Sequence, residues 1–486
     1  MKRLALAVWM VAATAHGASL AKEIERLLAA SPAARTAFWG IGVVDLASGK
    51  TLYASNADHF FVPASNTKLF TTALALSRLG PAFTFQTRVL ADAAPDANGR
   101  ITGLRLVGGG DPNLSGRALP YRMGASKGDP LAAIEDLAAQ LAARGVKRVA
   151  GDIVGDDTWY AWQPYAVGWG LDDPESDDGP PISALTVNDN IFTLSVHPGQ
   201  RAGDSAVLSL VPAIEFFRID NRVLTTAAGG ERRIRYSRLP GSYDLHLWGE
   251  MPVRAKEVDL LMAVEDPARY AAMALRAALA ERGIAVEGEA VSRHAWPGET
   301  VEAPDGVELA RRVSAPLIED LRVTDKVSQN LHAELALRAV AKARQGVGSF
   351  EAGREEMKAF LGEVGIAPES YNFNDGSGLA RLNLVTPAAV LKLLRFMYGG
   401  PHREDWLSML PVGGKDGTLS TRFGNTPGAG RVFAKTGSLS HVSALSGYIH
   451  RADGRWAAFS ILVNNYNAPA AEVRGVMDRI CNLVVE

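Results

Sequence analysis

A serine and a lysine three positions apart form the first pair in this sequence whose residue types and spacing suggest covalent chemistry. Ser65 and Lys68 occur in FFVPASNTKLFTT, where an extended apolar run becomes helical. Residues three apart share a helix face, so the hydroxyl and the amine can touch. A serine is a poor nucleophile unless an adjacent base takes its proton, and a lysine whose pKa is lowered by its neighbours can be that base. By itself the pair also fits an N-cap serine beside a solvent-facing lysine.

Two further motifs favour the catalytic interpretation. Ser328-Gln329-Asn330 lies within the helical pattern SAPLIEDLRVTDKVSQNLHAELALRAVAKA, and Lys435-Thr436-Gly437 lies on an apolar strand. In this order, S-x-x-K, S-x-N and K-T-G form the set used by serine acyl-enzymes of the penicillin-recognising class. Each motif alone is common, whereas the ordered set in fitting structural contexts is specific.

The second motif would move protons. Ser328 is the candidate to pass a proton between Lys68 and the leaving amine of the substrate. Asn330 is placed to orient both Lys68 and the substrate amide.

The third motif would bind the substrate. Lys435 and Thr436 can hold a carboxylate by charge-assisted hydrogen bonds, which predicts a substrate that ends in a free carboxylate. Gly437 leaves room for the substrate to pair with the strand edge. The tetrahedral oxyanion would be received by the backbone N–H groups of Ser65 and Ser438.

The composition is that of an ordinary globular protein with more than one domain. The chain has 486 residues, of which 47% are hydrophobic and 21% charged, and domains usually hold roughly 100 to 200 residues. The net charge is −2, so there is no strong basic field to hold nucleic acid or anionic lipid. The single cysteine, Cys481, cannot form an internal disulfide.

The N-terminus MKRLALAVWMVAATAHGASLAKEIERLL predicts a cleaved secretory leader over residues 1–21. Two cations precede an apolar stretch from Leu4 to Ala13, and small residues follow. A membrane anchor would need about 20 apolar residues, and Thr14 and His16 interrupt this run. We therefore expect a periplasmic mature protein with at most loose membrane association.

The elements around the motifs predict an α+β domain interrupted by an insert. WGIGVVDLASGKTLYASNADHFF alternates like two antiparallel strands, and the chain ends on helices followed by strands. Short strands dominate the middle, with one helical interlude, PLAAIEDLAAQLAARGV. The predicted boundaries are 22–85 and 299–486 for the two segments of the motif-bearing domain and 86–298 for a β-rich insert of two subdomains.

The chain resembles the D-alanyl-D-alanine carboxypeptidase/endopeptidase family, the class C low-molecular-mass penicillin-binding proteins. The resemblance extends beyond the three motifs to VPASNTKLFTTALAL, VGGGDPNLS, GDIVGDDTWY, FNDGSGLARLNLVTP and PVGGKDGTLSTR. It implies a penicillin-recognising serine transpeptidase/β-lactamase-like domain, an antiparallel sheet with helices, split by a large insert. It also implies hydrolysis of D-alanyl-D-alanine termini and D-alanyl-diaminopimelate cross-links of peptidoglycan through an acyl-enzyme without metal or other cofactor, and covalent inhibition by β-lactam antibiotics.

The same resemblance implies residues that recognise diaminopimelate. They are an aspartate of the insert, either Asp156 or Asp157, the nearby aromatic Tyr160, and Arg381. At the position where some members have glutamine, this sequence has Ser440.

Two other functions remain as alternatives. A β-lactamase or broad esterase would need a dedicated deacylating carboxylate or tyrosine, and a Y-x-N second motif would favour it, but Ser328 is not tyrosine. A wall-binding scaffold would need no nucleophile, base or K-T-G. The sequence has neither the G-x-S-x-G turn of a Ser-His-Asp hydrolase nor the H-E-x-x-H motif of a zinc peptidase.

Overall fold

The chain folds into two compact units. The computed structural model describes residues 20–126 and 128–486, so the predicted leader lies outside the described residues except for its last two positions. The motif unit consists of the segment that ends at Ala82, Leu317–Val340 and Gly353–Glu486. The insert unit consists of Phe83–Pro316 and Ala341–Ala352.

The first segment of the motif unit begins with a helix over residues 20–30 (α1). It continues with α2 (Pro32–Arg35), β1 (Phe38–Asp45), β2 (Thr51–Ser55), a 3₁₀ turn (Ala64–Asn66) and α3 (Thr67–Leu79). Leu20 is buried in the core of this unit. Residues 20 and 21 are thus part of the folded domain, which differs from the expected start at residue 22.

Over its described residues, the insert unit contains fourteen strands and two α-helices of its own. They are β3 (Gln86–Ala91), β4 (Arg100–Ile101), β5 (Leu104–Val107), α4 (Ala132–Ala143), β6 (Arg148–Val149), β7 (Ile153–Ala161), β8 (Ile191–His197), β9 (Val207–Val211), β10 (Arg218–Thr226), β11 (Arg233–Ser237), β12 (Asp244–Pro252), β13 (Val258–Ala263), α5 (Pro267–Glu281), β14 (Ala285–Val286), β15 (Ala290–Ala295) and β16 (Val307–Val313). The largest sheet has the order β15-β7-β5-β3-β16, and three smaller sheets have three strands each.

The helix α5 was not predicted. Asp266 and Pro267 precede an alanine-rich run, and such a pair is also typical of a turn. Here Asp266 is the N-cap, and its Oδ1 accepts the N–H of Arg269 at 2.9 Å. The expectation of a single helix in the insert is therefore wrong.

The insert also ends later than expected. Strand β16 pairs with β3 in antiparallel register, with Val313 opposite Gln86. This pairing assigns the chain up to Pro316 to the insert unit, whereas the sequence-based boundary lay between residues 298 and 299.

The second segment of the motif unit begins after Pro316. It contains α6 (Leu317–Lys326), α7 (Asn330–Gln345), α8 (Phe350–Val364), β17 (Tyr371–Asn372), β18 (Leu384–Val385), α9 (Pro387–Gly399), α10 (Arg403–Met409), β19 (Val432–Leu439), β20 (Val442–His450), β21 (Trp456–Asn464) and α11 (Ala470–Val485), with the end of α7 and the start of α8 belonging to the insert unit. No helix within 20–126 and 128–486 is long and apolar enough to cross a bilayer.

A five-stranded antiparallel sheet organises the motif unit. Its order is β19-β20-β21-β1-β2, so β19 is an edge strand. Every residue of β21 after Trp456 is buried, which requires cover on both faces of the sheet. Ile24 of α1 and Ile480 of α11 belong to the core on one face together with Ile41 and Ile461. The predicted α+β class with an antiparallel sheet and helices is confirmed.

Candidate active site

The nucleophile segment is a tight turn rather than the first turn of an α-helix. Ser65 lies in the 3₁₀ turn just before α3, and Ala64 has a positive φ of 48°. An alanine in the left-handed region stores about 1 kcal/mol or more of strain. Lys68 follows on α3, and its Nζ lies 2.9 Å from Ser65 Oγ. The two side chains of the first motif are therefore in hydrogen-bond contact.

Lys68 is fixed by two further acceptors. Its Nζ lies 2.6 Å from Asn330 Oδ1 and 2.7 Å from the carbonyl oxygen of Ser377. A neutral lysine amine can donate its two N–H groups to these oxygens while its lone pair faces the Ser65 hydroxyl. Lys68 is fully buried, and these contacts hold its amine next to the Ser65 hydroxyl. The Ser377 carbonyl was not predicted, since a backbone acceptor has no signal in residue type.

The second motif lies at a break between two helices. Ser328 has a φ of 67°, and it separates the end of α6 at Lys326 from the start of α7 at Asn330. The prediction that Ser328 lies inside a continuous helix is wrong, because a positive φ cannot continue a right-handed helix. The break lets Ser328 Oγ face Lys435, and the contact between Oγ and Nζ is 2.8 Å.

Lys435 is fully buried on the edge strand β19. Its Nζ also donates to the carbonyl oxygen of Thr436 at 2.9 Å. Burial and the neighbouring Lys68 ammonium lower the pKa of Lys435 to about 7, against the attraction of Asp325. Both effects make it easier for Lys435 to release a proton.

Thr418 is a residue that the sequence analysis did not single out. Thr436 Oγ1 donates to Thr418 Oγ1 at 2.7 Å. Both hydroxyls are partly exposed, so they can face a substrate group beside Lys435. The segment KDGTL that carries Thr418 was recognised only as flanking sequence.

Gly437 is needed for the packing of β19, and its predicted role in leaving room for the substrate stays a prediction. A Cβ at this position would lie 2.7 Å from the carbonyl oxygen of Pro63 and 3.1 Å from Ser65 N. The strand thus packs directly against the nucleophile turn. Asn66 Nδ2 donates to the carbonyl oxygen of Lys435 at 3.0 Å and ties the same two segments together.

The strand β19 directs alternate backbone N–H groups away from β20. The N–H of Ala434 bonds to Pro411 on the side of β19 away from β20, at 2.9 Å. Backbone groups alternate along a strand, so the N–H of Ser438 points to that same side. The pairing of this group with Ser65 N–H as the oxyanion hole stays a prediction.

A buried carboxylate supports the loop behind Lys68. Glu334 on α7 accepts the N–H groups of Gly376 and Ser377 at 2.8 and 2.9 Å. These bonds orient the Ser377 carbonyl towards Lys68. A carboxylate within an apolar helix face is the signal that could have identified Glu334 from sequence.

Two of the predicted recognition residues are neighbours on the surface of the motif unit. Arg381 Nη1 donates to the carbonyl oxygen of Ser440 at 3.1 Å, and both residues are exposed. Their guanidinium and hydroxyl groups are accessible to a ligand.

The predicted recognition residues of the insert unit are buried. Asp156 is 2% exposed and accepts both the N–H and the hydroxyl of Thr158. Asp157 Oδ1 lies 2.9 Å from His294 Nδ1, and Tyr160 is 3% exposed. Hydrogen bonds to Asp157 and Asp266 raise the pKa of His294 to about 9, although burial opposes them. A role for these residues in substrate recognition stays a prediction.

A buried histidine, His332, lies close to the second motif in the sequence. His332 is fully buried, and its Nδ1 lies 2.6 Å from Asp320 Oδ1. Within the described residues, no three His, Cys, Asp or Glu side chains are grouped to hold a metal ion.

Comparison with known proteins identifies the family. The model of the D-Ala-D-Ala carboxypeptidase 3 (S13) family matches residues 20–484. The chain belongs to this family. It is therefore a serine-type D-Ala-D-Ala carboxypeptidase of the class C low-molecular-mass penicillin-binding proteins, as the sequence motifs predicted.

Two curated relatives of the S13 enzyme are similar along most of its length. The D-alanyl-D-alanine carboxypeptidase of Actinomadura sp. (strain R39) is 35% identical over 472 residues, which cover 94% of this chain and 84% of the relative. The D-alanyl-D-alanine carboxypeptidase DacB of Haemophilus influenzae is 28% identical over 417 residues, which cover 85% and 82%.

A solved structure is similar to the S13 enzyme over both units. Penicillin binding protein 4 (dacB) from Haemophilus influenzae superposes with a TM-score of 0.81 at 25% identity, covering 95% of this chain and 99% of that one. A structure of the same protein in complex with a β-lactam has a TM-score of 0.75 and covers 94% and 97%.

Proposed function

We propose that this S13 enzyme hydrolyses both D-alanyl-D-alanine termini and D-alanyl-diaminopimelate cross-links of peptidoglycan stem peptides, and that β-lactams acylate the same nucleophile. The observation that carries the proposal is the contact of 2.9 Å between Ser65 Oγ and the buried amine of Lys68. The Ser65 hydroxyl is partly exposed, and the Lys68 amine is held in place by the Asn330 side chain and the Ser377 carbonyl.

Acylation begins when Ser65 Oγ attacks the carbonyl carbon of the penultimate D-alanine. Lys68 takes the hydroxyl proton, and the developing oxyanion is stabilised by backbone N–H groups. Lys435 donates to Ser328 Oγ at 2.8 Å, so Ser328 can pass its own proton to the leaving amine and be reprotonated by Lys435. The C–N bond breaks and the acyl-enzyme remains.

Deacylation uses the same groups in reverse. Lys68 first gives the proton that it took from Ser65 back to Lys435, which lost one during acylation, and is then neutral again. A water molecule attacks the ester carbonyl, Lys68 accepts its proton, and the Ser65 oxygen leaves with that proton from Lys68. The carboxylate of the substrate is held by Lys435 and the hydroxyl of Thr436. The uncleaved part of the stem peptide can extend along the open edge of β19.

We also propose that the enzyme acts in the periplasm. The support is the leader pattern of residues 1–19, which lie outside the described residues.

The first test is intact-mass spectrometry after exposure to benzylpenicillin. We expect the wild-type protein to gain one drug mass and Ser65→Ala to gain none, because the adduct is an ester of the Ser65 hydroxyl. Ser77→Ala is the matched control, since Ser77 lies on the same helix with its hydroxyl against Met397 Sδ. This variant should acquire the adduct as the wild type does.

The same experiment separates the alternatives. Slow loss of the adduct indicates a penicillin-binding peptidase, whereas rapid loss with destruction of the drug indicates a β-lactamase. A wild-type protein that gains no mass and leaves the drug intact would contradict the mechanism and favour a scaffold.

Cleavage of cross-links can be tested through Arg381. Because the exposed guanidinium can pair with the side-chain carboxylate of diaminopimelate, Arg381→Ala should lower kcat/KM on cross-linked muropeptides by about tenfold to a hundredfold. Acylation by benzylpenicillin, which has no diaminopimelate, should stay at the wild-type rate. Equal losses on both substrates would show that Arg381 acts on the fold of the site rather than on recognition.

A further inference from the structure

Asp325 is a fully buried carboxylate that belongs to none of the three motifs. It lies near the end of α6, three residues before Ser328. Its Oδ2 accepts from Thr72 Oγ1 at 3.1 Å, whereas Oδ1 has no hydrogen-bond partner. Burying a carboxylate with one hydrogen bond is costly unless positive charge is near. The cations around Asp325 therefore decide its charge.

Three lysines from three elements act on Asp325. They are Lys435 on β19, Lys68 on α3 and Lys326 on α6. Lys326 forms an ion pair with a different carboxylate, since its Nζ lies 2.6 Å from Asp416 Oδ2. The two remaining lysines are the functional amines of the first and third motifs.

Asp325 supplies the negative charge that stabilises the Lys435 ammonium. The hydrogen bonds from Lys435 Nζ end on two uncharged oxygens, those of Ser328 and Thr436. The charged groups that face Lys435 are Lys68, which repels its ammonium, and Asp325, which attracts it. Removing the carboxylate would leave a buried ammonium opposed by both burial and a like charge.

Burial moves the pKa values of the two groups towards each other. Burial raises the pKa of Asp325 to about 7, and attraction to the lysines opposes this shift. Burial and Lys68 lower the pKa of Lys435 to about 7. Because both side chains are fully buried and Asp325 attracts the Lys435 ammonium, a change at Asp325 must alter the pKa of Lys435.

We propose that Asp325 is a positioning residue that keeps the Lys435 ammonium protonated in the working enzyme. Lys435 can then hold the substrate carboxylate and reprotonate Ser328, while Lys68 stays available as the base. The inference rests on the acyl-enzyme mechanism proposed above, and it adds a residue that acts through Lys435 without touching the substrate.

The test is the pH dependence of acylation by benzylpenicillin in Asp325→Asn. Lys435 is needed in its protonated form, so the rate falls as the pH rises through the pKa of Lys435. Loss of the carboxylate lowers that pKa, and the fall should move towards acid by about one pH unit or more. Above the new midpoint, the variant should be slower than the wild type by about tenfold.

Two further variants distinguish this role from a structural one. Asp320→Asn removes a buried carboxylate from the same helix that pairs with His332 instead of the lysines. This variant should be less stable than the wild type, but its acylation rate should depend on pH in the same way. Thr72→Val removes the hydrogen bond to Asp325 and should produce a smaller shift towards acid, which keeps the test available if Asp325→Asn does not fold.

NMR titration of isotope-labelled lysine side chains provides a measurement that does not need activity. The Lys435 signal, assigned by its loss in Lys435→Arg, should titrate at lower pH in Asp325→Asn than in the wild type. An unchanged titration or an unshifted acylation profile in a folded variant would overturn the role of Asp325. If the wild type itself is not acylated, the proposed function fails, while the NMR titration still decides the role of Asp325.

Discussion

Replacing Lys68 with methionine should slow acylation of Ser65 by benzylpenicillin by about 10² to 10⁴-fold. The reason is the loss of the base that lies 2.9 Å from Ser65 Oγ, since general base catalysis contributes a factor of this size. The change also leaves Asn330 Oδ1 and the Ser377 carbonyl without the donor that they share. Stopped-flow measurement of the acylation rate checks the prediction.

An arginine variant separates the positive charge of Lys68 from its role in proton transfer. Lys68→Arg keeps a positive charge but cannot release its proton in a protein, so its acylation rate should fall as far as that of the methionine variant. Lys392→Met, which removes an exposed lysine on α9, should acylate at the wild-type rate. An arginine variant that acylates normally would show that Lys68 serves as a positive charge rather than as the base.

Gly378→Ala should both destabilise the motif unit and impair the nucleophile. Gly378 has a φ of +86°, and a Cβ there would lie 1.9 Å from the carbonyl oxygen of Ala64. Backbone strain and overpacking together should lower the free energy of unfolding by about 3 kcal/mol. Because Ala64 directly precedes Ser65, displacement of the turn should slow acylation by about 10²-fold. Denaturant unfolding and the acylation rate measure the two effects.

The matched glycine is Gly475 in α11. A Cβ there meets no atom within 4 Å, so Gly475→Ala should leave acylation unchanged and raise stability by up to about 1 kcal/mol. If Gly378→Ala unfolds and acylates like the Gly475 variant, then Gly378 does not support the nucleophile turn.

Much of the motif unit could be predicted from the sequence because its signals are local. The strands β1, β2, β19, β20 and β21 follow apolar or alternating runs, and the helix after Ser65 follows a helical spacing of apolar residues. Helix α5 was missed because Asp266-Pro267 is compatible with both a turn and an N-cap. The end of the insert was misplaced because the pairing of β16 with β3 joins residues far apart in the chain.

The break at Ser328 could not be predicted for a similar reason. The apolar spacing on both sides of it agrees with one helix, and a positive φ at a serine has no sequence signal of its own. This conformation places Ser328 Oγ against Lys435 Nζ, and that contact joins residues 107 positions apart in the chain.

The sequence by itself determined the residue types that do the chemistry, their order and the family. Side-chain identity and short spacing contain that information, because Ser65 and Lys68 must meet if the helix forms. Only the tertiary structure decided that Lys435 serves Ser328, that the Ser377 carbonyl holds Lys68, and that Asp325 lies among the lysines. Those relations depend on how separate helices and strands pack and on the low dielectric constant of the buried site, and neither is a property of any local stretch of residues.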